Sequence, residues 1–146
     1  MASVGQKDTD AELILRHALH GAGFRYRLHD RKLPGRPDLV FPRYKSAIFV
    51  HGCYWHAHDC YRGTKPKSNK AFWAKKFKAN KERDARNVEA LLTRRCRVLT
   101  VWECAIKGKS ARSTDVLVNQ IANWLASDRK TKTIAGHDRR KTGKAD

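Results

Sequence analysis

Side chains that bind metal ions are concentrated in residues 51–60, whose sequence is HGCYWHAHDC. Three histidines and two cysteines follow directly on the apolar run 47–50. Zinc is usually held by four nitrogen or sulfur ligands in a tetrahedron. Cys53, His58 and Cys60 are spaced so that a short loop can curl around one ion, and Cys104 or Cys96 can supply a fourth ligand. The pattern predicts a zinc site at the end of a strand.

Simpler interpretations exist for each of these residues alone, as a small core cysteine or a solvated loop histidine. A disulfide between Cys53 and Cys60 is a further alternative. The first residues lack the apolar segment of a secretory signal, and no apolar run is long enough to span a bilayer. We therefore expect a cytoplasmic protein, in which thiols bind metal rather than oxidise. The density of the cluster favours zinc.

Composition indicates a polyanionic partner. The 146 residues include 32 Lys and Arg against 14 Asp and Glu, a formal net charge of +18. This charge exceeds what solubility requires, and nucleic acid is the first candidate partner. A membrane surface is the alternative, but the chain has no long basic amphipathic segment with an aromatic lipid-facing side. The length fits one domain with a modest core.

A first helix is predicted from Thr9, where Thr9 and Glu12 form a capping-box pattern and apolar residues recur at helical spacing as far as the glycines at 21 and 23. Glu12 precedes Leu15 and Leu19 by three and seven residues, so it lies on the apolar face. Its carboxylate is either a helix cap or a group directed into a site.

A strand hairpin is predicted downstream. After a short alternating strand at 24–28, strands at 38–41 and 46–51 flank a turn. Their pairing would place Asp38 opposite Phe49 and beside the main chain of Val50. Asp38 is either a turn residue or an oxygen ligand for Mg²⁺, which typically takes one or two carboxylates and fills its other positions with water and phosphate oxygens.

A long helix is predicted at 69–94, with Asp84 on the same stripe as Phe77 and Leu91. A carboxylate on that stripe needs a partner, either a histidine or a surface cation. Phe72 and Trp73 are either core residues or apolar wedges beside a phosphate-binding surface.

The remaining elements complete an α/β pattern. A strand at 97–102 precedes a basic linker and a last helix capped by Ser113 or Thr114. Residues 128–146 are polar, basic and aperiodic, which predicts a disordered tail after a single domain at 1–127. The order helix, strand, hairpin, helix, strand, helix predicts a mixed sheet flanked by helices.

Several separated segments resemble the very short patch repair endonucleases, bacterial DNA mismatch nicking enzymes with a restriction-endonuclease-like, PD-(D/E)XK-type fold. The resemblance covers most of residues 7–106. It rests on KDT at 7–9, LPGRPD at 33–38, FVHGCYWH at 49–56, ERD at 82–84, RVL at 97–99 and VWEC at 101–104.

The resemblance implies a catalytic Mg²⁺ site with one or two ions. Asp38 would be the main ligand, helped by the main-chain carbonyl of Val50. Glu12 would contact metal-bound water. His51 would polarise the scissile phosphate or order its water.

Further roles are implied at the histidine cluster. His56 would act as general base, oriented by Asp84. A structural zinc would be bound by Cys53, His58, Cys60 and Cys104. The aromatic residues inserted beside the mismatch would be Tyr54, Trp55 and Trp73. Tyr54 departs from the phenylalanine common in the family, Ala57 and Asp59 interrupt a histidine run, and Cys96 has no implied role.

The function implied is a nick 5′ to the thymine of a T:G mismatch left by deamination of 5-methylcytosine. The partner would be mismatched double-stranded DNA, with other repair proteins as further partners. We expect a bacterial, nucleoid-associated monomer in the cytoplasm, without membrane association. The alternatives are an endonuclease of the same fold that cuts matched or modified DNA, and a noncatalytic zinc module that binds DNA.

Overall fold

A five-stranded mixed sheet forms the centre of the computed structural model, which describes residues 9–53 and 68–136. Its strands lie in chain order across the sheet: β1 (Arg27–Leu28), β2 (Leu39–Phe41), β3 (Ser46–His51), β4 (Arg97–Trp102) and β5 (Thr131–Ile134). The first three pair antiparallel, whereas β3, β4 and β5 pair parallel. Parallel neighbours need a crossover connection, which the helices that follow β3 and β4 provide.

Helices cover both faces of this sheet. They are α1 (Asp10–Gly21), α2 (Lys70–Thr93), the single turn α3 (Glu103–Ile106) and α4 (Thr114–Ala126). Thr9 and Ser113 begin α1 and α4, and their hydroxyls accept hydrogen bonds from the main-chain N–H groups of Glu12 and Val116. These bonds satisfy donors that the first turn of a helix leaves unpaired. The predicted α/β architecture is confirmed.

Alternation along the strands divides the core into two layers. Ile48 and Leu99 face α1, α3 and α4, in a cluster that includes Leu15 and Ile121. Their neighbours Phe49 and Val98 face the other side and pack against Leu91 of α2. Side chains of successive strand residues point to opposite faces, so both faces of β3 and β4 are buried.

The predicted hairpin is confirmed, whereas the strand before it is shorter than predicted. Leu39 pairs with Ile48 and Phe41 with Ser46, around a 3₁₀ turn at Pro42–Tyr44. The strand predicted at 24–28 contains only Arg27 and Leu28. Phe24 is excluded from it because its N–H donates to the carbonyl of Leu19 and closes the end of α1.

The expectation of a disordered tail from residue 128 is wrong for residues 131–134, which form β5. Val98 of β4 pairs with Thr131, and Ile134 is buried with 3% of its surface exposed. Three polar residues followed by Ile134 show no apolar alternation, so only pairing with β4 reveals the strand. Residues 137–146 of the expected tail lie outside the described residues.

Arg97, the first residue of β4, joins the end of α4 to the sheet. Its guanidinium carbon lies 4.6 Å from the centre of the Trp124 ring. The guanidinium donates to main-chain carbonyl oxygens of Leu125 (2.8 Å), Ser127 (2.9 Å), Trp124 (3.1 Å), Arg129 (3.2 Å) and Tyr44 (3.4 Å). A planar fork of donors can reach all of these carbonyls at once, whereas a lysine ammonium cannot.

Arg97→Lys is therefore expected to destabilise the protein by about 3 kcal/mol, because charge-assisted hydrogen bonds are lost. That change corresponds to a fall in Tm of roughly 10 °C for a chain of this size. Thermal unfolding followed by circular dichroism measures it, with the exposed Arg95→Lys as matched control. A Tm equal to that of the control would show that this network contributes little.

Candidate active site

Glu12 lies in the first turn of α1 and points into the protein. Thr9 sets the start of the helix, and Glu12 then shares a face with Leu15 and Leu19, which are fully buried. Only 1% of the surface of Glu12 is exposed. Its Oε2 accepts a hydrogen bond from Nη1 of Arg16 at 3.0 Å. The carboxylate therefore points inward, as one of the two alternatives required.

Asp38 directly precedes β2 and is also buried, with 8% exposure. Its Oδ2 accepts a hydrogen bond of 2.7 Å from the main-chain N–H of Val50 on β3. This contact is the one expected from the hairpin register. The loop before Asp38 packs closely against α2 at Gly35, which has φ +78°. A Cβ atom at this position would lie 2.9 Å from the side chain of Asn87.

His29 completes the site, although no role was predicted for it. Its Nε2 lies 2.8 Å from Oε2 of Glu12 and 3.9 Å from Oδ1 of Asp38. The side-chain ligand atoms of the three residues all lie within 4.8 Å of one another. His29 follows the exposed Arg27 and Leu28 of an edge strand, so alternation does not show that its ring turns inward. The only hint of a role in the sequence is that His29 stands next to an acid, Asp30, in the polar turn that follows Leu28.

Burial governs the electrostatics of this group. Loss of water raises the pKa of Asp38 to about 8, the Val50 N–H opposes this rise, and the charge of nearby Glu12 adds to it. Two carboxylates in a poorly hydrated space repel each other. A divalent cation between them would offset both effects, so the donor set fits Mg²⁺, with the imidazole as an adjoining nitrogen.

His51 and Asp84, two further predicted site residues, lie on other elements. His51 ends β3, one residue after Val50, and its ring meets that of Trp102 edge-on at 5.2 Å. Asp84 lies half-buried on the face of α2 that carries Phe77. Its Oδ1 is 3.6 Å from Nη2 of Arg83. The predicted partner of Asp84, His56, lies outside the described residues, so the pair stays a prediction.

Two of the four predicted zinc ligands lie at the edge of the sheet that is formed by the carboxyl ends of β3 and β4. Because His51 pairs with Trp102, Cys53 and Cys104 each lie two residues beyond a paired position on adjacent parallel strands. Both cysteines are buried and neither forms a disulfide. His58 and Cys60 lie outside the described residues. Cys96 is also a free cysteine, and burial raises the pKa of its thiol.

The segment after β5 contacts the Cys104 side of this edge. The N–H of Gly136 donates to Sγ of Cys104 at 3.3 Å, and the hydroxyl of Ser110 donates to the Cys104 carbonyl at 3.1 Å. A side chain at residue 136 would lie 2.3 Å from that carbonyl. Only glycine fits at this position without displacing its neighbours. The sequence did not indicate this requirement, because residue 136 was expected to lie in a disordered tail.

Aromatic and basic side chains line the start of α2. Phe72 is 61% exposed, and its ring lies 5.4 Å from that of the half-buried Trp73, which in turn lies 5.7 Å from Phe77. Exposed cations follow along the helix at Lys70, Lys75, Lys78, Lys81, Arg83 and Arg86. Tyr54 and Trp55, the other predicted aromatic contacts, lie outside the described residues. Among residues 9–53 and 68–136, no helix is long and apolar enough to cross a membrane.

Several known proteins are similar in sequence to this chain. A family model described as DNA mismatch endonuclease Vsr matches residues 1–62. The DNA mismatch endonuclease Vsr of Escherichia coli (strain K12) is 38% identical over 128 residues, which are 88% of this chain and 82% of the relative. The type II nicking enzyme V.XorIIP of Xanthomonas oryzae pv. oryzae is 44% identical, covering 76% of this chain and 82% of its own.

A further relative is the type II nicking enzyme V.NmeAIP of Neisseria meningitidis serogroup A, 42% identical over 75% of this chain and 79% of its own. Identity at this level over most of both chains excludes chance similarity of short motifs. The chain belongs to the Vsr family of DNA mismatch endonucleases.

Proposed function

We propose that this protein nicks one DNA strand 5′ to the thymine of a T:G mismatch, in a reaction that depends on Mg²⁺. The observation that carries the proposal is the buried pair Glu12 and Asp38 beside the main chain of Val50. Burying two adjacent carboxylates costs free energy unless a cation neutralises them. Such pairs are therefore found mainly at functional sites. The names of the relatives, a mismatch endonuclease and nicking enzymes, support the substrate class.

Asp38 would be the main ligand of the ion, with the main-chain carbonyl of Val50 beside it. The N–H of Val50 already points at Asp38. Because the N–H and C=O of one strand residue point to the same side, the Val50 carbonyl is directed towards the same region. Bound Mg²⁺ supplies positive charge to the phosphoryl oxygens and to the leaving 3′ oxygen.

The remaining roles concern protons and phosphate. Glu12 would orient a water molecule next to Asp38, and His51 would contact the scissile phosphate from the end of β3. His56 would accept the proton of the attacking water, and Asp84 would hold its ring in orientation. The position of His51, one residue after Val50, supports its assignment.

A structural zinc would be held by Cys53, His58, Cys60 and Cys104. Of these four, Cys53 and Cys104 lie among the described residues. They follow the carboxyl ends of the adjacent strands β3 and β4, and both are free cysteines. Four protein ligands close the shell of the ion, which excludes a substrate position. This site would tie the segment between Cys53 and Cys60 to the sheet.

DNA would be bound across the basic surface of α2, with Trp73, Tyr54 and Trp55 inserted beside the mismatch. Insertion costs less at a mismatched step because its bases are already poorly stacked. The protein would act as a nucleoid-associated monomer in the cytoplasm, with a restriction-endonuclease-like domain that extends through β5 instead of ending at residue 127.

The substrate is tested with duplexes of identical sequence that contain either T:G or T:A at one position. We expect nicking to be roughly 30-fold faster on T:G, since about 2 kcal/mol less is spent on unstacking. Denaturing gel electrophoresis of end-labelled strands locates the nick. Equal rates on both duplexes would exclude mismatch specificity.

Equal rates would instead favour an endonuclease that acts on matched DNA. One observation supports this second candidate, because several relatives are named type II nicking enzymes. Extending the panel to the remaining mismatches and to methylated duplexes separates the two functions.

A further inference from the structure

His29 has a geometry that the proposed reaction does not yet explain. It leaves the exposed edge strand β1, yet its Nε2 lies 2.8 Å from Oε2 of the buried Glu12. The side chain of His29 is 16% exposed, whereas that of Glu12 is 1% exposed. The ring therefore joins the surface of the sheet edge to a carboxylate inside the protein.

The main chain of His29 is held in an uncommon conformation. Its φ is +48°, in the left-handed region that residues other than glycine seldom adopt. Its N–H donates to the carbonyl of Asp38 at 3.1 Å. One residue therefore contacts Asp38 through its main chain and Glu12 through its ring.

The contact with Glu12 restricts the carboxylate to one orientation. Arg16 and His29 both bind the same oxygen, Oε2, at 3.0 and 2.8 Å. A carboxylate held at one oxygen by two groups on different elements cannot rotate freely about its last torsion. Metal ligands depend on such neighbours for their orientation, and losing one typically costs 10–100-fold in metal affinity or activity.

We propose that His29 is a positioning residue, which holds Glu12 next to Asp38 so that the two carboxylates together receive the divalent cation. This inference rests on the proposed Mg²⁺ site. His29 acts through Glu12 and has no contact with the DNA in this role. Removing the imidazole of His29 should weaken Mg²⁺ binding more than it slows nicking at saturating Mg²⁺.

A pair of variants separates the ring contact from the main-chain conformation. Asparagine tolerates the left-handed region, but the amide of His29→Asn is too short to reach Glu12. His29→Gln carries an amide nitrogen at about the reach of Nε2. We expect His29→Asn to raise the Mg²⁺ concentration for half-maximal nicking about tenfold, with the maximal rate within about threefold, and His29→Gln to restore most of the loss.

Mg²⁺ binding without DNA gives a second readout. The rise in Tm of the metal-free protein on adding MgCl₂ should be reduced in His29→Asn and retained in His29→Gln. The exposed His17→Asn is the matched control. If His29→Asn does not fold, His29→Gly removes the ring while accepting the same φ, and the same result is expected of it.

The outcomes distinguish this inference from the proposed function. An unchanged Mg²⁺ requirement in folded His29→Asn and His29→Gly, with Mg²⁺ response lost in Asp38→Asn, overturns the role of His29 alone. A fall in maximal rate without a change in Mg²⁺ requirement also overturns it, since that result indicates direct participation in the reaction. A normal Mg²⁺ response in Asp38→Asn overturns the metal site itself.

Discussion

Asp38→Asn is expected to lower Mg²⁺-dependent nicking by about 10³-fold, the equivalent of roughly 4 kcal/mol of transition-state stabilisation from a bound metal. The amide keeps the size of the carboxylate and can still accept the Val50 N–H. It lacks the charge that an Mg²⁺ ligand needs in this buried position. Initial nicking rates on a T:G duplex at saturating Mg²⁺ measure the effect.

The same variant should be more stable than the wild type when metal is absent. Burial makes the charged form of Asp38 unfavourable, and the neutral amide avoids that cost. At pH 9 we expect a Tm higher by about 5 °C, for a gain of roughly 1.5 kcal/mol. A loss of activity with increased stability cannot be attributed to unfolding.

Asp115→Asn, at an exposed carboxylate in the first turn of α4, is the matched control and should keep full activity. Nicking by Asp38→Asn within tenfold of the wild type would contradict a catalytic role for Asp38. It would leave the noncatalytic DNA-binding module as an alternative, and wild-type protein without any Mg²⁺-dependent cleavage would favour that alternative.

The apparent affinity for Mg²⁺ should rise about 50-fold between pH 6 and pH 8 and level off above about pH 9. Burial raises the pKa of Asp38 to about 8 in the metal-free protein, so the carboxyl carries a proton over most of this range. Mg²⁺ binds the deprotonated carboxylate, and one proton leaves for each ion bound. The affinity therefore changes about tenfold for each pH unit below the pKa.

Half-maximal Mg²⁺ concentrations for the DNA-free protein, taken from thermal-shift titrations at successive pH values, measure this dependence. Calorimetry in two buffers of different ionisation enthalpy should show release of about one proton per ion near pH 7. Asp38→Asn should show no such release. An affinity independent of pH between 6 and 8 would mean that Asp38 is already charged in the folded protein.

The stability of the metal-free protein should change with pH in the opposite sense. The folded state keeps a proton on Asp38 up to about pH 8, whereas the unfolded chain loses it near pH 4. Between these values the folded state binds more protons, so the free energy of unfolding falls as pH rises. The contribution of Asp38 is complete below about pH 4 and is lost above about pH 8.

Local patterns in the sequence were sufficient for the elements that carry the two acids. The Thr9 cap and the spacing to Leu15 and Leu19 placed Glu12 on the inner face of α1, and the turn between β2 and β3 placed Asp38 beside Val50. Both results follow from the helical and strand periods, which depend on residues close together in the chain. The Asp84 face of α2 was found by the same means.

Contacts between distant segments were beyond this reasoning. His29 comes from an exposed edge strand, and only the approach of α1, seventeen residues earlier, brings Glu12 to its ring. The sequence of β5 resembles a disordered tail because three of its four residues are polar, and nothing in the sequence indicates that Arg97 bonds to the carbonyl groups at the end of α4.

The sequence by itself therefore predicted the elements from α1 to α4 except the single turn α3, the hairpin that places Asp38 beside Val50, the apolar face that carries Glu12 and, through its motifs, the family. Only the tertiary structure decided that an imidazole joins those acids, that burial raises the pKa of Asp38, and that the segment after β5 reaches Cys104 through Gly136. The reason is physical. Periods and caps are set by neighbours in the chain, whereas burial and long-range pairing arise only when the layers pack together.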